Sequence, residues 1–324
     1  MPASPLLAPV HADMQALDAL ILDNLRSDVL VIEQLGKHIV GGGGKRLRPA
    51  LALLAGRALN PDVDAAALTR LAAVIEFIHT ATLLHDDVVD NSALRRGRIT
   101  ANALWGNAAS VLTGDFLYSR AFQLMVDLGR MDVLRILADT TNRIAEGEVM
   151  QLMLSHQADI SEDTHLEVNQ RKTAVLFAAA VECACLLSGA GAVQARDLAG
   201  YGLELGLAFQ LADDCLDYTA SAAELGKEPG DDLAEGKYTL PLIHALRETD
   251  AATRQQTIER IARSGREAWP EVQKLIAATG GITYTERRAE EAAARAVTIA
   301  GDFPAGPARD ALVQLAHYAT QRSF

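Results

Sequence analysis

The sequence predicts an all-α fold, and three observations carry that prediction. Apolar residues recur with a helical period along almost the whole chain. No alternating run makes a convincing strand: GITYT (281–285) alternates, but it is short, isolated and leads straight into a helical run. Glycine and proline cluster only at 41–49 and 226–241, with no fixed-period repeat and no low-complexity linker. A chain of 324 residues, 49% of them hydrophobic, can bury a large core. The reading is one large all-α domain over 1–324, with those two loops as its ordered exceptions.

In chain order, residues 11–40 form one amphipathic run ended by GGGG. A helix follows from about Pro49, where proline sits in a favoured first-turn position. Residues 64–90 are apolar on nearly all sides, so this helix should be central; at ~1.5 Å per residue it spans roughly 40 Å. Further helical runs cover about 104–128, 131–155, 162–188, 195–219, 238–248, 267–279, 284–300 and 307–321. Thr283 and Glu286 have the spacing of a capping box at one of these starts.

Composition excludes several classes. The formal net charge of −12 argues against a nucleic-acid binder. Three cysteines, Cys183, Cys185 and Cys215, are too few for a disulfide framework, and all lie in apolar helical stretches, as buried thiols do. Cys183 and Cys185 are two apart and so do not share a helix face, which discounts a metal pair. The first residues lack a basic segment followed by an apolar one, so no signal peptide is expected. The most lipid-like window, 173–192, carries Glu182 and many small residues and reads as a buried core helix. A cytoplasmic protein is expected.

Two acidic clusters interrupt this apolar pattern. In LLHDDVVD (83–90), Asp86 and Asp90 are four apart and point from one helix face, with Asp87 turned about 100° away. DDCLD (213–217) repeats the arrangement with Asp213, Asp217 and Asp214. Each cluster ends a long apolar helix. A solvated helix end would explain one such cluster; two, each after an apolar run, favour a shared cleft. Six carboxylates there would repel one another unless hard divalent cations neutralised them. Magnesium suits such oxygen donors, taking one or two carboxylates, waters and substrate phosphates.

Positive charge is limited to 30 Lys and Arg, yet it gathers near these clusters. Arg95 and Arg96 follow the first, Lys172-Thr173 opens an apolar helix, and Lys227 and Lys237 follow the second. GGGGKRLRP (41–49) places Lys45, Arg46 and Arg48 on a glycine-rich turn before a helix N-terminus, where an anion is favoured. The P-loop spacing is absent, and a mobile surface loop is the plain alternative. Magnesium-binding carboxylates beside these cations point to diphosphates, one bridged by metal and a second held directly by groups such as Lys45 and Arg48. His79 lies seven residues before Asp86 on the same stripe; it is either a core histidine or a donor to a diphosphate.

These segments (GGGGKRLRP, HTATLLHDDVVDNSALRRG, RKT, AFQLADDCLDY and GDDLAEGKYTLP) resemble, in order over roughly 40–245, the motif set of the trans-isoprenyl diphosphate synthases, or polyprenyl synthetases. GNAASVLTGDFLYSRAFQ and HTATLLHDDVVD look most like the bacterial octaprenyl diphosphate synthase branch. The resemblance implies a helical bundle of isoprenoid synthase type around a central apolar cavity. It also implies Mg²⁺, three ions per site, on Asp86, Asp87, Asp90, Asp213, Asp214 and Asp217. Arg95, Lys172, Lys227 and Lys237 would hold the allylic diphosphate, and Lys45, Arg48, His79 and Arg96 the isopentenyl diphosphate. Thr173 and Gln210 match positions whose polar groups face the allylic cation. A homodimer, an apolar product that partitions to membrane and a use in quinone side chains are implied in the same way. Tyr238 departs from the family, which often has proline there.

Product length is read from the helix before the first cluster. In the family an aromatic residue at the Ala81 position blocks the chain tunnel early; Ala81, beside Thr82, leaves it open, which predicts a product of about C40. Met125 and Leu137, on the next two helices, are candidates for the tunnel floor or for ordinary core packing. A shorter C15–C20 synthase and a non-catalytic partner subunit are the alternatives within the family. Two other classes are conceivable from spacing: Glu76-x-x-His79 with Glu162-x-x-His165 as a di-iron bundle, and His85-Asp86 as a metal phosphohydrolase pair. Both leave the paired aspartate clusters and the Lys/Arg set unexplained.

Overall fold

The computed structural model describes residues 5–40, 46–95, 97–220 and 229–321. Helices make up nearly all of it. They are α1 (His11–Asn24), α2 (Leu30–Val40), α3 (Leu47–Leu59), α4 (Ala65–Val89), α5 (Ala101–Trp105), α6 (Asn107–Leu128), α7 (Met131–Leu154) and α8 (Glu162–Asn169). A π-helical turn (Gln170–Ala174) joins α8 to α9 (Val175–Leu187), and α10 spans Ala192–Thr219. The rest are α11 (Asp231–Ala234), α12 (Leu240–Glu248), α13 (Ala251–Ser264), α14 (Trp269–Thr279), α15 (Gly281–Ala300) and α16 (Pro307–Thr320).

Several boundaries differ from the sequence reading, each for a local reason. The 11–40 run is two helices, because Ser27 Oγ accepts the Val29 N–H at 3.1 Å and turns the chain. The 104–128 run is broken at Gly106, whose φ is 85°. α13 escaped detection because its residues are mostly polar and only Ile261 is buried; Asp250 caps it through the Ala252 and Thr253 N–H groups. Thr283 and Glu286 do not form a capping box: α15 starts at Gly281, directly after left-handed Gly280, so GITYT is already helical. Among the described residues, strand is confined to β1 (Leu94–Arg95) and β2 (Arg98–Ile99), an antiparallel ribbon pairing Leu94 with Ile99 and Arg95 with Arg98.

The central-helix expectation holds. α4 is capped by Asp64, whose carboxylate accepts the Ala66 and Ala67 N–H groups, and it buries residues on every side. It is also the one described helix long and apolar enough to cross a membrane, but 67% of that window lies buried inside the molecule. Around it, α3, α6, α9, α10, α15 and α16 contribute to one large apolar core. A second, smaller core joins Tyr218 at the end of α10 to Leu233, Tyr238, Leu242, Ile261, Val272 and Ile276.

Helices α9 and α10 approach backbone to backbone. A Cβ at Gly202 would lie 2.3 Å from the Phe177 carbonyl oxygen, and one at Gly206 would lie 2.7 Å from the Ala174 Cα. Glycine at both positions lets the two helices close. That contact sets Thr173 beside Gln210, one link between the clusters described next.

Candidate active site

Both acidic clusters stand where their helices end. Asp86 and Asp87 lie in the last turn of α4 and Asp90 caps it, while Asp213, Asp214 and Asp217 lie in the last two turns of α10. The π turn brings the clusters together. Lys172 Nζ lies 3.9 Å from Asp86 Oδ2, and the adjacent Thr173 hydroxyl donates to Gln210 Oε1 at 3.2 Å. Gln210 Nε2 in turn donates to Asp214 Oδ1 at 3.2 Å. Lys237, from the segment after the second cluster, donates to Asp90 Oδ1 of the first at 3.0 Å. Two neighbouring residues of one turn thus reach one cluster each, and Lys237 covers the first.

The six carboxylates are not equivalent. Asp87, Asp214 and Asp217 are buried, whereas Asp86, Asp90 and Asp213 are only partly covered. Asp87 Oδ1 accepts from Arg95 Nε at 2.7 Å. Burial raises the Asp87 pKa, with Asp86 and Asp90 adding to it, and the Arg95 guanidinium opposes that rise only in part. Both Asp214 oxygens are engaged: Gln210 donates to Oδ1, and His165 Nε2 lies 2.8 Å from Oδ2. Lys237 shows the reverse balance. Burial works against its charge, but Asp90, Glu235 and Asp232 outweigh burial and raise its pKa.

Of the residues that the resemblance assigns to isopentenyl diphosphate, the structure describes His79, on α4, and Arg48, on α3. Arg48 Nη1 stands 3.1 Å from His79 Nε2, and the guanidinium lies 4.4 Å from the Phe177 ring centroid. His79 is seven residues before Asp86, about 10 Å along the axis. Lys45, Arg96 and Lys227 lie outside the described residues. Arg46, at the N-terminus of α3, is left-handed and pairs with Asp18. Ala81, Met125 and Leu137 are all buried within the main core, and Thr82 is half-buried, its hydroxyl donating to the His79 carbonyl at 2.8 Å.

Sequence reasoning missed several residues of this cleft. Glu148 and Gln151 of α7 each accept from Lys172 Nζ at 2.8 Å. Burial, and behind it the Asp86 charge, lifts the Glu148 carboxyl to about 7 against the pull of Lys172. Tyr118 of α6 is pushed up to about 12 by burial and by the charges of Asp86 and Glu148. Asn102 donates to the Asp87 and Ser92 carbonyls, and the Thr100 hydroxyl donates to Ser92, shaping the turn that presents Arg95. The three-residue spacing of Glu148 and Gln151 was visible, but nothing in it distinguished them from an exposed helix face.

The rival readings do not survive the geometry. Glu162 pairs with Arg247 and Arg288 and accepts from Tyr284 Oη at 2.7 Å, while His165 turns to Asp214, so they do not form a di-iron pair. His85 turns away from Asp86 towards α6, 3.2 Å from the Val111 carbonyl and stacked on Tyr118.

A divalent cation fits the donor chemistry. The open carboxylates Asp86, Asp90 and Asp213 offer only oxygen, which suits a hard ion. Among the described residues no group of three His, Cys, Asp or Glu side chains forms a metal cage by itself.

Comparison with known proteins agrees with this arrangement. The family model of the polyprenyl synthetases matches residues 29–279. The octaprenyl diphosphate synthase of Escherichia coli strain K12 is 50% identical over 311 residues, covering 96% of this chain and 96% of that protein. The geranyl-diphosphate-specific all-trans-nonaprenyl-diphosphate synthase of Rhodobacter capsulatus is 44% identical, covering 98% and 97%. Among solved structures, a polyprenyl synthase from Caulobacter crescentus CB15, complexed with calcium and isoprenyl diphosphate, superposes with a TM-score of 0.93 at 45% identity, covering 98% and 97%. With both aspartate clusters linked through the π turn of an isoprenoid synthase fold, this chain belongs to the polyprenyl synthetase family.

Proposed function

We propose that this protein is a long-chain trans-polyprenyl diphosphate synthase that adds isopentenyl diphosphate units to an allylic primer, farnesyl diphosphate, to give octaprenyl diphosphate of about C40 for quinone side chains. The observation that carries it is the joining of both aspartate clusters through the π turn, Lys172 beside Asp86 and Thr173 linked through Gln210 to Asp214. The 50% identity to an octaprenyl diphosphate synthase supports the product class. The calcium and isoprenyl diphosphate bound by the Caulobacter relative support the pairing of a divalent ion with a diphosphate.

Asp86, Asp90 and Asp213, the more open carboxylates, would hold Mg²⁺ directly, with Asp87, Asp214 and Asp217 completing the acidic lining; three ions per site is the expected number. When bound, Mg²⁺ would neutralise the allylic diphosphate and stabilise it as a leaving group. Arg95, Lys172, Lys227 and Lys237 hold the same diphosphate, and Lys45, Arg48, His79 and Arg96 hold isopentenyl diphosphate. The allylic C–O bond breaks, its electron pair leaving with the diphosphate. The isopentenyl double bond forms the new C–C bond, and one proton passes to the departing diphosphate. The polar groups of Thr173 and Gln210, bonded to each other, would face the allylic cation. No side-chain nucleophile is required.

The chain then grows between α4 and its neighbours. Each buried CH₂ gains about 0.8 kcal/mol, so every added isoprene gains apolar burial until Met125 and Leu137 close the floor. We further propose that the whole chain acts as one catalytic domain in the cytoplasm, as a homodimer, and that its product partitions to membrane. Elongation of farnesyl diphosphate with labelled isopentenyl diphosphate and Mg²⁺, with products sized by mass after dephosphorylation, tests the reading. A C40 peak is expected. A C15–C20 product would discard the open tunnel, and no incorporation by a folded protein would favour the partner-subunit alternative.

A further inference from the structure

We propose that one face of α7, formed by Gly147, Glu148 and Gln151, is a positioning clamp that aims the Lys172 ammonium at the allylic diphosphate; the inference rests on the synthase reading above. Lysine is a flexible point charge with three donors and no geometric preference of its own. Here Glu148 Oε2 and Gln151 Oε1 each accept from Nζ at 2.8 Å, one turn apart on the same helix. Two of the three N–H groups are thereby fixed, and the third is the one a diphosphate oxygen would receive. The head is left 3.9 Å from Asp86, at the edge of the acidic cleft.

The same helix also holds the lysine's backbone. A Cβ on Gly147 would lie 2.7 Å from the Lys172 backbone nitrogen and 2.9 Å from the Arg171 Cβ. Only glycine allows α7 to press against the π turn there. That turn is the irregular element of an otherwise α-helical run, and its wider winding presents Lys172 and Thr173 side by side. Backbone and head group are thus located by adjacent residues of one helix. Glu148 and Gln151 act through Lys172 and need not touch substrate, which makes them positioning residues rather than catalytic ones.

A double-mutant cycle on the full-length enzyme tests this. Glu148→Ala should lower kcat/KM for farnesyl diphosphate about 10-fold or more, leaving the helical circular-dichroism signature and the KM for isopentenyl diphosphate unchanged. Combined with Lys172→Ala, it should cost nothing further, because the lysine it aims is already gone. Glu148→Gln should recover most of the activity, since its amide oxygen still accepts the Nζ bond. Additive losses, an equal fall for both substrates, or a Glu148→Gln variant as poor as Glu148→Ala would overturn the clamp while wild-type elongation kept the synthase reading intact. Absence of wild-type elongation would overturn both.

Discussion

At the scale of single residues, burial divides chemically identical side chains into different roles. Asp86 and Asp87 are neighbours, yet one faces the cleft and the other is buried against Arg95. Glu148 makes the effect measurable. Its carboxyl is raised by burial from 4.5 to about 7, so the folded protein keeps that proton to higher pH than the unfolded chain does. The Glu148 contribution to wild-type stability should therefore fall as pH rises from 4.5 to about 7. Glu148→Gln lacks this titration, so its Tm should gain on wild type across that window and hold a constant difference above it; a parallel pH profile would contradict the assignment. Ala81 offers a second residue-scale prediction. It is fully buried on α4, and Ala81→Tyr should shift products from C40 towards C15–C20, at a stability cost of about 1–3 kcal/mol from overpacking. Mass analysis of the products checks it, and an unchanged C40 distribution would rule out this tunnel path.

At the scale of elements, function depends on how closely helices approach. The α9–α10 contact at Gly202 and Gly206 aligns the Thr173–Gln210–Asp214 chain that ties the π turn to the second acidic cluster. Gly202→Ala places a methyl group against the Phe177 carbonyl, and about 1–3 kcal/mol should be lost as the helices part. A lower Tm together with reduced elongation is the expected result; unchanged thermal unfolding would mean the helices shift without strain. The β1–β2 ribbon works on the same principle with less material. Thr100 and Asn102, just after it, tie back to the Asp87 and Ser92 carbonyls before it, and Arg95 on β1 reaches Asp87.

At the scale of the molecule, two outer helix faces expose large apolar side chains among their polar ones. Leu112, Phe122 and Val126 of α6 and Val149, Leu152 and Met153 of α7 are exposed at helical spacing. An apolar face of this kind marks an association surface. A second copy of the chain is the occupant that the homodimer proposal supplies. Val126→Glu combined with Met153→Glu should convert a dimer to a monomer in light scattering or sedimentation. An unchanged mass would place the contact elsewhere. α7 would then serve two purposes, carrying the contact on one face and Glu148 and Gln151 on another.

The sequence by itself determined the helical architecture, the central place of α4 and the two aspartate clusters, because helical period and residue type are local properties that survive any arrangement of the helices. It also showed which residue types surround the clusters, and the family resemblance named roles for Lys172, Thr173, Gln210 and Lys237. It missed α13, whose polar surface leaves almost no apolar stripe to detect, and it placed a capping box where Gly280 already starts the helix. Only the tertiary structure decided which carboxylates stay open, that Lys237 reaches Asp90, and that Glu148 and Gln151 hold Lys172. Those facts depend on burial and on contacts between residues far apart in the chain. Electrostatic roles follow from desolvation and distance, and neither is a property of a motif.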